Sequence, residues 1–143
     1  MLSQTTEYAL RAVVHLAKNP EQPQTAIDIA DATRVSPGYL SKVMQSLVRG
    51  KIVRSQRGLH GGFRLSRDPS EIPVLEVINC VGPIPRITRC PLGIPGHGEK
   101  LCSLHRRLDD AMLAIERSFG TTTLAELVEQ SDDSFPLCEH IQP

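Results

Sequence analysis

Apolar residues recur at helical spacing near the start of the chain, with Ala9, Ala12, Val13, Leu16 and Ala17 on one face of residues 5–18. Glu7, Arg11 and Lys18 lie off that stripe. Asn19-Pro-Glu-Gln-Pro23 ends the helix, because proline has no amide hydrogen and clashes with the preceding turn. Thr25 can cap a short second helix, Ala26 to Ala32, with Ile27 and Ala30 inward and Asp28 in the favourable first turn. Ser36 and Pro37 then supply an N-cap and a first helical position. In the helix they open, Leu40, Val43, Met44 and Leu47 form an apolar face, and Tyr39, Ser41, Lys42 and Gln45 fall opposite. Two short helices joined by a tight turn, the second showing polar and basic groups outward, read as a helix-turn-helix. Helical hairpins also occur in ordinary cores, so the next stretch decides.

There the period changes to two. Lys51–Gln56 and Phe63–Arg67 alternate like strands, and Arg57-Gly-Leu-His-Gly-Gly62 between them carries the glycines that a hairpin turn needs. A β-hairpin directly after a recognition-type helix is a wing, and its basic tip is placed to meet phosphates or a minor groove. Asp68-Pro69 bounds this unit. Val74–Val81 predicts a short helix with Val74, Leu75, Val77 and Ile78 inward and Cys80 as a small buried hydrophobe. Residues 82–100 hold four prolines and four glycines among nineteen, which predicts a long irregular loop. From Leu101 a 3-4 repeat through Leu104, Leu108, Ala111 and Ile115, with Phe119 four further on, predicts a long helix with a seam suited to a second copy. A short capped helix follows at 121–128, then a loose tail at 131–143 in which Cys138 has no local partner.

The expected fold is therefore mainly α with a small β-hairpin. Its units are a winged helix-turn-helix at 1–81, a sensor loop at 82–100, a dimerisation helix and short C-terminal helix at 101–130, and the tail. At 143 residues this is one domain with a sizeable core. No apolar run approaches the roughly 20 residues that span a bilayer, and the N-terminus shows no export signal. A cytoplasmic location follows, where cysteines are reduced, metal-bound or redox-active rather than structural disulfides.

The formal net charge of zero hides a division. Residues 1–68 hold 10 Lys/Arg against 5 Asp/Glu, whereas residues 69–143 hold 6 against 11. From Arg34 to Arg67 there are eight basic residues and no acidic one, which points to a polyanion partner.

Candidate chemistry concentrates in residues 90–105, where Cys90, His97, Cys102 and His105 lie within sixteen positions. Thiolates beside imidazoles are the ligand set of zinc or an iron–sulfur centre. The same residues also allow a Cys90–Cys102 redox disulfide, plain packing, or an enzyme built on a Cys102–His105 pair. For the last, the chain offers no third orienting group, and an enzyme is not expected.

Four stretches are specific in combination: Tyr8-Ala-Leu-Arg-Ala12, Val35-Ser-Pro-Gly-Tyr-Leu40, Arg57-Gly-Leu-His-Gly-Gly-Phe-Arg-Leu65 and Leu75-Glu-Val-Ile78. With them, residues 1–130 resemble the Rrf2-type winged-helix regulators, which include iron–sulfur and nitric-oxide sensors. The resemblance implies a homodimer on a palindromic double-stranded DNA operator. It carries DNA contact to Ser36, Pro37, Gly38, Tyr39, Ser41 and Lys42, and to Arg57, His60 and Gly61 in the wing. Cluster-binding members commonly carry three cysteines five residues apart in the loop. Here Cys90 and Cys102 match the outer two, and Gly96 stands at the middle position. His105 matches a histidine ligand of IscR-like members, and Glu7 the first-helix position from which some members lend a carboxylate to the partner subunit. The resemblance thus implies a two-iron cluster on Cys90, Cys102 and His105 with Glu7 of the partner subunit. Zinc on Cys90, His97, Cys102 and His105, or a metal-free thiol switch, are the alternatives.

Overall fold

The computed structural model describes residues 2–97 and 100–129. The expected tail at 131–143, with Cys138, lies outside the described residues, as do residues 98 and 99 of the loop.

Helix α1 spans Gln4–Lys18, and the Ser3 hydroxyl accepts from the Thr6 amide to cap it. Seven of its residues are buried, including the whole predicted stripe. Helix α2, Ala26–Thr33, begins with a capping box: the Thr25 hydroxyl accepts from the Asp28 amide while the Asp28 carboxylate accepts from the Thr25 amide. It ends at Arg34, which takes the left-handed conformation (φ 57°). One expectation is overturned here. Ile27 points to solvent, 66% exposed, and Ile29 is buried in its place, beside Ala30 as expected. Ile29, Ala30 and Thr33 lie on one face of this helix, and the Thr33 hydroxyl donates to the Ile29 carbonyl at 2.6 Å, which settles a buried hydroxyl inside the core.

Helix α3, Pro37–Arg49, follows after a three-residue turn and buries Leu40, Val43, Met44 and Leu47 as predicted. Ser36 occupies the N-cap position but makes no side-chain capping bond; its hydroxyl faces solvent. Strands β1, Val53–Gln56, and β2, Gly62–Leu65, pair antiparallel with Val53 opposite Leu65 and Gln56 opposite Gly62. The hairpin is shorter than the alternation predicted, because Lys51 turns the chain at φ 59° before the ladder begins. Its turn end is tied down by a bridge from Gln24, whose amide donates to the Phe63 carbonyl at 2.9 Å and whose carbonyl accepts from the Phe63 amide at 2.7 Å.

After a 3-10 turn at Pro69–Glu71, helix α4 spans Val74–Val81, as expected. Helices α5, Ser103–Thr121, and α6, Leu124–Glu129, complete the described chain. A second capping box, Thr123 with Glu126, starts α6. One core gathers α1, α2, α3, α4 and the wing base, and Leu124 of α6 returns into it fully buried. Helix α5 differs from the rest in having no buried residue. Met112, Ile115 and Phe119 lean on the core, while Leu104 and Leu108 stand 62% and 43% exposed. Among the described residues no helix is long and apolar enough to cross a membrane.

The turn end of the wing leaves no space at Gly62. Its φ is +148°, and a Cβ there would lie 2.5 Å from the Gln24 carbonyl oxygen. Gly62→Ala should therefore lower stability by about 1–3 kcal/mol, read as the midpoint of urea unfolding. Gly38 has nothing within 4 Å and an ordinary helical backbone, so Gly38→Ala should leave the midpoint unchanged or slightly raised. Equal behaviour of the two variants would contradict this packing.

Candidate nucleic-acid interface and cysteine loop

The outer face of α3 and the wing tip both expose small, polar and basic groups, and the tip also exposes Leu59. Ser36, Pro37, Gly38, Tyr39, Ser41 and Lys42 are exposed on the first turns of α3, and Arg57 and His60 are exposed at the hairpin turn. Gly61 is half-buried because its amide closes the turn onto the Gly58 carbonyl at 3.0 Å. A Cβ on Gly61 would meet the Gln56 carbonyl at 2.4 Å, so the tip is a glycine-only turn that holds Arg57 and His60 outward.

A connection between this face and α1 had no signal in local sequence pattern. The Tyr39 hydroxyl lies 2.5 Å from the Thr5 hydroxyl, and the Tyr39 ring meets the Tyr8 ring edge-on at 5.3 Å. Gln4 donates to the Tyr8 hydroxyl at 2.7 Å, and the Arg11 guanidinium lies over the Tyr8 ring. The first turns of α1 and α3 are thus joined through the chain's two tyrosines. The hint available from sequence was that pair itself, in a chain with 3% aromatic residues.

Glu7 sits on this same end of α1, exposed, with its carboxylate 2.5 Å from Arg11 one turn on. The loop donors are elsewhere. Cys102 occupies the N-cap position of α5, and its Sγ lies 3.2 Å from Nδ1 of His105. The three-residue spacing in the first turn brings thiol and imidazole to one point. Cys90 is half-buried, and His97 keeps a buried Nδ1 with no hydrogen-bond partner among the described residues. Among the described residues no three Cys, His, Asp or Glu side chains converge as a metal cage. The pair Cys102–His105 is therefore assembled within one chain, and Cys90, His97 and Glu7 are not brought to it. Gly96 takes φ +91°, a conformation that side-chain-bearing residues rarely adopt.

Cys80 is separate from this group. It lies under the end of α3, where a Cβ on Gly50 would sit 2.1 Å from its sulfur. Burial and then the nearby Glu76 push its thiol up from the usual range, which keeps it protonated and inert.

The start of the loop is clamped to α5. Arg86 donates from Nε and Nη2 to the two oxygens of Asp109, both at 2.8 Å, and from Nη1 to Glu116 at 3.1 Å. The Ile87 amide donates to the same Asp109 at 2.8 Å. The Arg86 fork, then the Ile87 amide, hold the Asp109 carboxyl down at about 2.

Comparison with known proteins agrees with this architecture. The Rrf2 family, described as iron-dependent transcriptional regulators, matches residues 2–130. The HTH-type transcriptional regulator BadM of Rhodopseudomonas palustris is 39% identical over 77 residues, which are 54% of this chain and 49% of BadM. The matched stretch thus spans about half the length of that relative. CymR, the global cysteine regulator of B. subtilis, superposes with a TM-score of 0.76 at 25% identity, over 92% of this chain and 98% of CymR. T. potens IscR superposes with a TM-score of 0.75 at 22% identity, over 94% of each chain. That last likeness speaks to fold alone.

The Asp109 clamp fixes a pH dependence. A carboxyl at about 2 in the fold and near 3.8 when free favours the fold above 3.8, and that contribution is lost as pH falls through about 2. A carbon-13 NMR titration should put the Asp109 carboxyl near 2 in the wild type and move it up toward 3.8 in Arg86→Ala. A wild-type midpoint near 3.8 would show that the clamp does not form.

Proposed function

The chain belongs to the Rrf2 family of transcriptional regulators, and on that premise we propose a homodimer that reads a palindromic DNA operator and senses redox state, nitric oxide or iron–sulfur status through the Cys90–His105 loop. Ser41 and Lys42 are the base-reading pair in this reading, and Ser36, Pro37, Gly38, Tyr39, Arg57, His60 and Gly61 position the backbone. The support is their shared exposure and a stretch of eight cations without one carboxylate. The exposed leucines of α5, Leu104 and Leu108, are where a second copy would pack. DNA half-sites one helical turn apart need such a two-fold.

The sensing half is carried by one observation, the Cys102 sulfur meeting His105 Nδ1 at the mouth of α5. Thiolate and imidazole together suit an iron–sulfur centre with mixed ligation, and Cys90 and Glu7 of the partner subunit would complete it. A cluster so held has a raised potential, which supplies electron or nitric-oxide chemistry when bound. The residues of the chain then transmit the change. Glu7, Thr5 and Tyr8 share the first turns of α1, and Thr5 and Tyr8 touch Tyr39 of α3. A pull on Glu7 therefore reaches the recognition helix through one hydrogen bond and one ring contact. Because no third donor joins Cys102 and His105 among the described residues, the second reading is a regulator of the same family with zinc or with metal-free thiols.

Two measurements test this. Lys42→Ala should weaken binding to a fragment that the protein itself selects from random-sequence DNA, and should lower the salt slope of binding by about one if Lys42 also neutralises a phosphate. Unchanged affinity across salt concentrations would remove Lys42 from the interface. Anaerobic purification should yield iron and acid-labile sulfide in equal amounts, both lost in Cys102→Ala. Stoichiometric zinc, or no metal, would overturn the cluster and leave the second reading.

A further inference from the structure

The Asp109 carboxylate is unusual in holding three donors that all come from one short stretch, Nε and Nη2 of Arg86 and the amide of Ile87. Asp109 is 16% exposed and Arg86 34%, so the clamp lies against the helix rather than in open solvent. Cys102 and Asp109 are seven residues apart, which puts them on the same side of α5 about two turns or ~10 Å apart. His105 lies between them, one turn before Asp109. Both ends of the loop thus meet one stripe of one helix: Ile87 at Asp109, and Cys102 at the N-cap.

We propose that Asp109 is a positioning residue for the cysteine loop, which fixes Ile87 to α5 so that Cys90 is kept within reach of the Cys102–His105 pair. The proposal rests on the reading that Cys90 works with Cys102, and it deepens that reading by naming what holds the two together. Cys90 stands three residues beyond Ile87, and three residues of chain reach at most about 10 Å. Without the clamp, the nearest fixed point before Cys90 is Ile84, buried in the core and six residues away. Doubling the tether enlarges the volume that Cys90 samples by about threefold for a flexible chain. The bidentate fork and the amide also fix direction, which a single point charge would not.

The test is proximity, measured without reference to any metal. A short bifunctional maleimide is applied to the reduced, chelator-treated full chain, and the Cys90–Cys102 cross-link is quantified by peptide mass spectrometry. The wild type should form it as the main intrachain product. Asp109→Asn and Arg86→Ala should each slow it about threefold, with the helical circular-dichroism spectrum at the assay temperature and the rate of labelling at Cys102 by a monofunctional maleimide unchanged. Asp109→Glu, which keeps a carboxylate, should recover part of the rate. Wild-type cross-linking that is undiminished in both variants overturns the role of Asp109. A wild type that forms no such cross-link overturns the proximity itself. Iron analysis stands apart: a chain without iron but with the clamp-dependent cross-link fails the cluster reading and keeps this one.

Discussion

The structure depends on a first helix that other elements can approach closely from several sides. Ala9, Ala12 and Ala17 alternate with Val13 and Leu16 along the buried face of α1. Such small side chains let α2, α3, α4, α6 and β2 all pack on the same fifteen residues. A helix so surrounded moves as part of the core or not at all. Its only free end is the first turn, where Glu7 is exposed and Thr5 and Tyr8 touch the recognition helix. The one part of α1 that a partner can handle is therefore the part joined to Tyr39. Coupling over so short a path requires no chain of intermediates across the domain.

The same constraint explains why α5 stays open. The core is closed by α6, whose Leu124 is fully buried and whose start is pinned by a bridge between Pro73 and Thr123. With that position filled, α5 can touch the core through Met112, Ile115 and Phe119 but cannot sink into it. Its N-terminal half leaves Leu104 and Leu108 exposed beside the half-buried Cys102 and His105. Exposure of apolar side chains and placement of the cysteine pair are thus one geometric fact. Whatever covers those leucines is brought next to the thiol.

Elements with strong periodicity and a chemical boundary were legible from sequence. The stripes of α1, α3 and α4, the cap at Thr25 and the proline that opens α3 are local properties, and the structure keeps them. Helix α2 has eight residues, too few for its pattern to choose between Ile27 and Ile29, and tertiary contact chose Ile29. The Cys102–His105 pair was legible because three residues in a first helical turn leave little freedom. Arg86–Asp109 and Tyr8–Tyr39 were not, since they join positions 23 and 31 apart in sequence and have no periodic signature.

The least legible feature is how the cysteine loop is completed, and Gly96 shows why. Resemblance pointed to an absent cysteine at that position, as though one side chain had been exchanged. The backbone there is at φ +91°, with nothing within 4 Å of where a Cβ would be. Space is available, then, but the conformation is one that a cysteine would have to strain to keep, at a cost of order 1–3 kcal/mol. A path fixed by glycine at 96, clamped at Ile87 and ending at Cys102 leaves the thiol and imidazole of α5 as the only donors that meet within the described residues. Among the described residues a further ligand would come from Cys90 swinging on its three-residue tether or from His97, with its unpartnered Nδ1, and otherwise from a second chain packed on the open half of α5.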